Sequence, residues 1–215
     1  MNDYAKESYL HKWDYDRRVG HLYTLLYKEF ADRLLGKNLF LGCNTGSSLQ
    51  VLRAFGHDVV GLDINKEALE IARGRGCTAL YGDATRHMPF ADGHFDTILA
   101  LDFIEHIWPA DMPRLVAECA RVLRPGGTIL AFSPRTDHKK PSGVAMDAAH
   151  VQWFKSKNEF AGPWWYHDHF EIIEVRHETR SNPSETLPPR SRPDRRVNRP
   201  ELPRHDAWFM LMVKK

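Results

Sequence analysis

The sequence predicts an α/β fold built on a doubly wound, mostly parallel sheet. Short apolar runs alternate with helical patterns from Asn38 to Phe132. Within the first part of this region, Asn38–Asp63, an apolar run, a small-residue turn, a helical pattern and a second apolar run are followed by an acid. That order is typical of a strand, a turn that opens a helix, and a second strand ending in a carboxylate, the arrangement by which such sheets hold an adenosine-containing molecule.

The elements follow one another as a parallel sheet requires. Apolar side chains at helical spacings from about Tyr15 to Leu35 predict an amphipathic helix before the first strand. Strands are expected at Leu39–Leu41, His57–Leu62, Cys77–Tyr81, Phe95–Leu101 and Thr128–Phe132, and helices at Leu49–Phe55, Asn65–Arg73 and Asp111–Leu123. The continuous apolar run of Phe95–Leu101 is typical of a strand buried on both faces, so this strand is expected at the centre of the sheet.

The C-terminal part changes character. Phe170–His177 and Ala207–Val213 alternate as strands with no helix between them, which predicts an antiparallel hairpin at the sheet edge. The Pro- and Arg-rich segment 179–206 is expected to be an insertion in that hairpin. We expect residues 1–215 to form a single domain, with residues 1–36 as an N-terminal helical lid segment.

Composition excludes some classes of function. The 215 residues are 42% hydrophobic and carry a formal net charge of +2, too mild to indicate a nucleic-acid or membrane partner by charge alone. The three cysteines are scattered without zinc-ligand spacing, and His167–His169 is more typical of a polar turn than of a metal site. No apolar run is long enough to span a bilayer, and the N-terminal residues resemble no targeting signal. We therefore expect a cytoplasmic protein without a resident metal.

Four stretches carry a family resemblance. They are LGCNTG ending at Gly46, GLDIN at 61–65, GDATRHMPFADGHFDTILALDFIEHI from Gly82, and RVLRPGGTILAFSP at 121–134. Over roughly Leu39 to Phe154 the chain resembles class I S-adenosylmethionine-dependent methyltransferases of the small-molecule, type 11-like group. The resemblance implies a Rossmann-like sheet of seven strands with the last one antiparallel, which agrees with the predicted hairpin.

The resemblance also implies the cofactor, S-adenosylmethionine, with S-adenosylhomocysteine as product. Glycines in the turn allow close approach of the backbone to the ligand, and Asp63 lies at the spacing expected for a ribose-binding acid. The adenine amino group is assigned to Asp83, and the methionine amine to the backbone at the end of strand four. The residues assigned to the cofactor are Gly42, Cys43, Asn44, Gly46, Asp63, Ile64, Asp83, Ala84, Leu101 and Asp102.

Each assignment competes with a structural alternative. Asp63 could instead cap the following helix, and Asp83 could be an ordinary turn acid. The chain also departs from its relatives, with Phe40 in place of an acid in strand one and Asn44 in place of the middle glycine of the turn. Asparagine tolerates a left-handed backbone better than most residues, so the turn can persist.

The candidate general bases are His106 and His150, since a histidine can accept a proton near neutral pH. Either could equally be a helix residue or helix cap without a chemical role. The leading hypothesis is methyl transfer to an O or N atom of a small molecule. The alternatives are a nucleic-acid or protein methyltransferase that uses the Arg-rich insertion, an NAD-dependent oxidoreductase, and a non-catalytic cofactor-binding partner subunit.

Overall fold

The computed structural model describes residues 33–134, 151–152, 154, 156–180 and 205–215. Four predictions therefore fall wholly or mostly outside the described residues. They are the N-terminal lid segment 1–36 and its helix over Tyr15–Leu35, of which only residues 33 onward are described, the candidate base His150, and the Arg-rich part of the C-terminal insertion.

Seven strands and five α-helices occur in the described part of the chain. The strands are β1 (Lys37–Leu41), β2 (Asp58–Asp63), β3 (Ala79–Tyr81), β4 (Phe95–Leu101), β5 (Leu123–Pro134), β6 (Phe170–Arg180) and β7 (His205–Lys214). The helices are α1 (Ser47–Ala54), α2 (Lys66–Gly74), α3 (Met112–Val122), α4 (Lys157–Ala161) and α5 (Trp164–His167), and two short 3-10 turns, Ile104–His106 and Pro109–Asp111, lie between β4 and α3.

The strands form one sheet in the order β3-β2-β1-β4-β5-β7-β6. The first five strands pair in parallel, and β7 is antiparallel to both β5 and β6. The α/β, doubly wound fold class is therefore confirmed, with its antiparallel last strand. Because the chain runs outward from β1 to β3 and then crosses back to β4, the strand order reverses between β1 and β4. In such sheets, the carboxyl ends of the strands at this reversal flank the ligand crevice.

The core lies on both faces of the sheet, and β4 contributes buried side chains to each face. Ile98 and Ala100 belong to one buried apolar cluster, whereas Leu99 and Leu101 belong to the cluster on the opposite face. This alternation follows from the two-residue period of a strand. The prediction that Phe95–Leu101 forms a strand buried on both faces is confirmed.

The beginning of β5 differs from the prediction. The sequence predicts a strand that starts at Thr128, but β5 begins at Leu123, which pairs with Phe95. The register shifts between Phe95 and Thr97, so the proline and glycines form an irregularity inside the strand. Gly126 adopts a φ of 71°, a left-handed conformation that an extra, bulged residue can require and that glycine adopts at little cost.

The hairpin strands are longer than predicted. Pairing between β6 and β7 continues to Thr179 with Asp206 and to Arg180 with His205. The segment 179–206 thus contributes two residues to each strand, and its residues 181–204 lie outside the described part of the chain. No helix among the described residues is long and apolar enough to cross a bilayer.

Candidate functional site

The turn after β1 is joined to the end of β2. The backbone amides of Gly42 and Cys43 donate to the carbonyl of Leu62 at 2.9 and 3.3 Å, and Gly46 N donates to Cys43 O at 3.0 Å. Asn44 has a φ of 47°, so this residue adopts the left-handed backbone that the turn needs. The departure from glycine at this position leaves the turn intact.

Two glycines of the turn lie where a side chain would collide. A Cβ on Gly46 would be 2.9 Å from the Cβ of Ala72 and 3.0 Å from the Sγ of Cys77. A Cβ on Gly42 would be 2.7 Å from Cδ2 of Phe103. Gly46 therefore lets the turn pack against α2 and the segment leading to β3, and Gly42 lets the turn approach the ring of Phe103.

Asp63 ends β2 and bridges two backbone segments. Its Oδ2 accepts from Asn44 N at 2.7 Å, and its Oδ1 accepts from Asn65 N at 2.8 Å. The N-cap of α2 is Asn65, whose side chain accepts from Ala68 N at 3.1 Å. The capping role considered for Asp63 is thus filled by Asn65. A carboxylate offers about four lone-pair positions, so each oxygen of Asp63 can accept a further donor.

The surroundings of Asp63 destabilise its ionised form. Burial raises the pKa of this carboxyl above its usual range, and the hydrogen bonds from Asn65 and Asn44 oppose that shift without cancelling it. Two further hydrogen-bond donors, such as vicinal hydroxyls, would stabilise the anion. The site is therefore suited to a ligand that donates hydrogen bonds at this point.

Asp83 lies just beyond β3 in a compact turn. Its Oδ1 accepts from the backbone N and the Oγ1 of Thr85 at 2.9 and 2.7 Å, and its Oδ2 lies 3.3 Å from Nε of Arg86. Gly82 N donates to Asp63 O at 3.0 Å, which brings the ends of β2 and β3 together. These are the contacts of a turn acid, and they leave Asp83 partly exposed. Ala84, the next candidate, is buried.

The end of β4 completes the carboxyl edge beside β1. Leu101 is buried, and Asp102 N donates to Phe132 O at 2.9 Å. Asp102 has a φ of 49°, an uncommon conformation that aspartate tolerates better than bulkier residues. By contrast, Phe40 is buried within the apolar cluster formed with α1 and β5, so its side chain offers no polar group here.

The two remaining cofactor candidates contribute apolar side chains or backbone. Cys43 is buried, and burial, followed by the charge of Asp63, raises the pKa of its thiol. The thiol is thus neutral near pH 7, and its sulfur would lie 2.5 Å from a Cβ built on Gly61. Ile64 is half-buried directly after Asp63. Neither side chain supplies a charge to the site.

His106 ends the 3-10 turn Ile104–His106 and is half-buried. The neighbouring Glu105 is fully buried, and its Oε2 accepts from Ser133 Oγ at 2.9 Å. The backbone carbonyl of Glu105 accepts from Val151 N and Gln152 N at 2.9 and 3.1 Å. The turn that carries His106 is therefore held to both β5 and the 151–152 segment.

Sequence reasoning missed Phe103, Glu105 and Ser133. The sequence offered one signal for Glu105, because this acid lies among apolar residues in DFIEHI. An acid in such a position can be buried, and a buried carboxylate needs hydrogen-bond partners. Nothing in the sequence indicated that Ser133 would be the partner, because the pairing depends on neighbouring strands. Among the described residues, no group of His, Cys, Asp and Glu side chains is arranged to hold a metal ion.

Comparison with known proteins gives a family match over much of the core. Residues 39–131 match a family model described as a methyltransferase domain. The chain is 30% identical to a probable S-adenosylmethionine-dependent methyltransferase of Mycolicibacterium smegmatis, over 52% of this chain and 44% of the relative. It is 30% identical to a ubiquinone biosynthesis O-methyltransferase of Proteus mirabilis, over 57% and 52%. It is 38% identical to a probable tRNA methyltransferase 9B of Homo sapiens, over 43% and 20%.

The chain thus spans about half the length, or less, of the curated relatives it matches. Among solved structures, a protein from Pyrococcus horikoshii aligns with a TM-score of 0.68 and 20% identity, covering 96% of this chain and 93% of the other. That likeness supports the fold alone. The relative from Mycolicibacterium smegmatis is described as S-adenosylmethionine-dependent, which is the cofactor that the sequence resemblance implies.

Proposed function

We propose that this chain transfers a methyl group from S-adenosylmethionine to an O or N atom of a small-molecule acceptor, because residues 39–131 match a methyltransferase-domain family model and part of the chain is similar to a probable S-adenosylmethionine-dependent methyltransferase. The contact that supports the cofactor part of the proposal is the hydrogen bond of 2.7 Å from Asn44 N to Asp63 Oδ2. It joins the glycine turn after β1 to the acid that ends β2, so two separate cofactor motifs form one surface.

The residues present fit the cofactor. The turn from Gly42 to Gly46 and the carboxylate of Asp63 would hold the ribose and methionine parts, and Asp102 would lie near the methionine amine. Asp83 and Ala84 would receive the adenine. The ring of Phe103 lies against Gly42, where a Cβ would be 2.7 Å from Cδ2 of the ring, and we propose this ring as a wall of the site and an aromatic partner for a positive charge.

The cofactor supplies a methyl group that is already activated by its sulfonium, so the chain has mainly to position the reacting groups. The 3-10 turn with His106 is fixed through Glu105 to Ser133, which holds a candidate base at the carboxyl edge of the sheet. An acceptor that is protonated at neutral pH needs such a base. His150 remains a second candidate base.

The proposal is tested by calorimetric titration with S-adenosylhomocysteine and, separately, with NAD. We expect saturable binding of S-adenosylhomocysteine alone. Asp63→Ala should weaken it by at least about 100-fold, because two hydrogen bonds to a carboxylate are lost at roughly 1.5–3 kcal/mol each. Asp58→Ala is the matched control, since Asp58 is an exposed acid at the opposite end of the same strand.

Other results would redirect the proposal. Binding of NAD alone would favour the oxidoreductase hypothesis. Binding of neither compound would favour the non-catalytic alternative or a site completed by a partner. Equal affinities of the Asp63→Ala and Asp58→Ala proteins would exclude Asp63 from the site.

A second candidate function is methylation of RNA. The relative described as a tRNA methyltransferase 9B is 38% identical to this chain over the matched region, and the Arg-rich insertion could hold a phosphate backbone. The mild net charge of +2 argues against it. A steep decrease of RNA binding with salt would favour this candidate.

A further inference from the structure

Arg121 of α3 makes several hydrogen bonds to the loop between β3 and β4. Arg121 donates from Nη1 to Phe90 O at 2.8 Å and to Asp92 Oδ1 at 2.7 Å, and from Nη2 to Met88 O at 3.0 Å. Its own carbonyl accepts from Gly93 N at 2.9 Å. One residue of α3 thus contacts four positions of the loop.

Glu118 holds that arginine and reaches the same loop. Its Oε1 accepts from Arg121 Nε at 2.9 Å and its Oε2 from Nη2 at 2.8 Å, the bidentate geometry that makes such pairs strong and directional. The Oε2 atom also accepts from Met88 N at 2.8 Å. Both side chains are largely shielded from water, at 20% and 17% exposure. The hydrogen bond from Arg121 also holds the pKa of Glu118 below its usual range.

The loop fixed in this way begins with Asp83 and Ala84. The side-chain contacts of Asp83 described above are to Thr85 and Arg86, so they shape the turn without fixing its place relative to the sheet. That place is set at one end by the bond from Gly82 N to Asp63 O. At the other end, it is set by the fully buried Met88, whose N and O both bond to the Glu118–Arg121 pair.

We propose that Glu118 and Arg121 are positioning residues for the adenine end of the cofactor site, acting through Met88 on Asp83 and Ala84. The inference rests on the proposed function, because it needs a nucleoside in the site. It gives Arg121, the first residue of RVLRPGG, a part in selecting the base. Without the pair, Asp83 keeps its local turn and its link through Gly82 to Asp63, but the Met88 end of the loop is no longer held, so Asp83 and Ala84 are positioned from one side only.

The test compares two ligands that differ only in the base. S-adenosylhomocysteine carries the amino group assigned to Asp83, and S-inosylhomocysteine has an oxygen there. We expect the unaltered protein to prefer the adenine compound at least about tenfold, since a polar group of the site is otherwise left unpaired. Glu118→Ala should weaken binding of S-adenosylhomocysteine about 5- to 30-fold and reduce the preference to less than about threefold.

Two variants serve as comparisons. Glu118→Gln keeps an oxygen for Met88 N, so we expect it to retain most of the preference. Glu174→Ala is the matched control, because Glu174 also pairs with two arginines, Arg33 and Arg176, but lies on β6. It should leave both dissociation constants within about twofold of the unaltered protein even if it lowers thermal stability.

The outcomes separate this inference from the proposed function. A Glu118→Ala protein that melts at a lower temperature yet keeps the full preference would show a purely structural pair and overturn the inference. If that variant does not fold, Arg121→Lys replaces it, since lysine keeps the charge but cannot span the same acceptors. Retention of the preference in Arg121→Lys would likewise overturn the inference.

Equal binding of both ligands by the unaltered protein would also overturn it, while leaving the proposed function standing. Absence of S-adenosylhomocysteine binding to the unaltered protein would overturn both.

Discussion

At the scale of single residues, burial and hydrogen bonding have opposite effects on the pKa of Asp63. Burial raises the pKa of its carboxyl, and the amides of Asn44 and Asn65 stabilise the anion. In the free protein, the charged form is therefore held at some cost in stability. Ligand hydroxyls that donate to the same oxygens would lower that cost, which couples cofactor binding to the protonation of this group.

We predict that the affinity for S-adenosylhomocysteine falls as the pH falls through the raised pKa of Asp63. The sign follows from linkage, because the ligand binds the carboxylate more tightly than the carboxylic acid. The contribution of Asp63 to the free energy of unfolding of the free protein changes with pH in the opposite direction. It decreases as the pH rises through the same pKa.

The measurement is a series of calorimetric titrations between pH 4.5 and 8, over the range in which circular dichroism shows the protein to be folded. An Asp63→Asn protein should show weak binding with little dependence on pH, because it has no group to titrate at this position. An affinity of the unaltered protein that stays constant over this range would contradict the prediction.

At the scale of elements, the glycine turn packs several elements together in addition to its proposed role in binding the ligand. Gly46 is the N-cap of α1 with a φ of 81°, and it lies against Ala72 of α2 and Cys77 before β3. Three elements therefore meet at one position without a side chain. The same contact explains why β3 begins at Ala79, after the predicted Cys77, whose Sγ donates to Gly46 O at 3.5 Å.

We predict that Gly46→Ala destabilises the protein by about 2–5 kcal/mol, which combines the cost of a left-handed backbone with overpacking. Gly56→Ala is the matched control, because Gly56 has a φ of 84° but no atom within 4 Å of its Cβ position. It should cost only about 1–2 kcal/mol. Urea unfolding of the three proteins gives the free energies, and equal losses in both variants would contradict the packing argument.

At the scale of the whole molecule, the reversal of strand order between β1 and β4 places the candidate residues at the same edge of the sheet. Asp63, Asp83 and Asp102 follow three different strands, yet the hydrogen bonds at the strand ends bring the first two segments together and the topology places the third beside β1. The net charge of +2 adds no strong field for a polyanion. Small ligands are thus favoured over nucleic acids at this scale.

We predict that the protein binds tRNA no more tightly than unrelated RNA, with dissociation constants above about 10⁻⁶ M at physiological salt, as for non-specific contacts. The measurement is filter binding of both RNAs at 50 and 200 mM salt, with S-adenosylhomocysteine titrated in parallel. A preference for tRNA of tenfold or more would contradict the small-molecule proposal and support the RNA candidate. The affinity for S-adenosylhomocysteine should change less than about threefold, because its net charge is small.

The local sequence pattern was sufficient to predict the parallel strands of the core, but it did not predict where those strands are irregular. Apolar runs and helical spacing located β4 and the order of elements, since burial on both faces leaves a clear signal in the sequence. The early start of β5 at Leu123 was not predictable, because a proline followed by two glycines at 125–127 usually ends a helix or strand when only the local sequence is considered. Its place in the strand depends on pairing with Phe95 in another element.

The sequence by itself determined the α/β fold class, the order of strands and helices, and the identity of the acids that follow β2, β3 and β4. Those features depend on short-range periodicity and on residue type. The tertiary structure decided that Asn65 caps α2, that Phe103 fills the space beside Gly42, and that Glu105 pairs with Ser133. These contacts join residues whose separation in space is set by sheet pairing and helix packing, which no local pattern encodes.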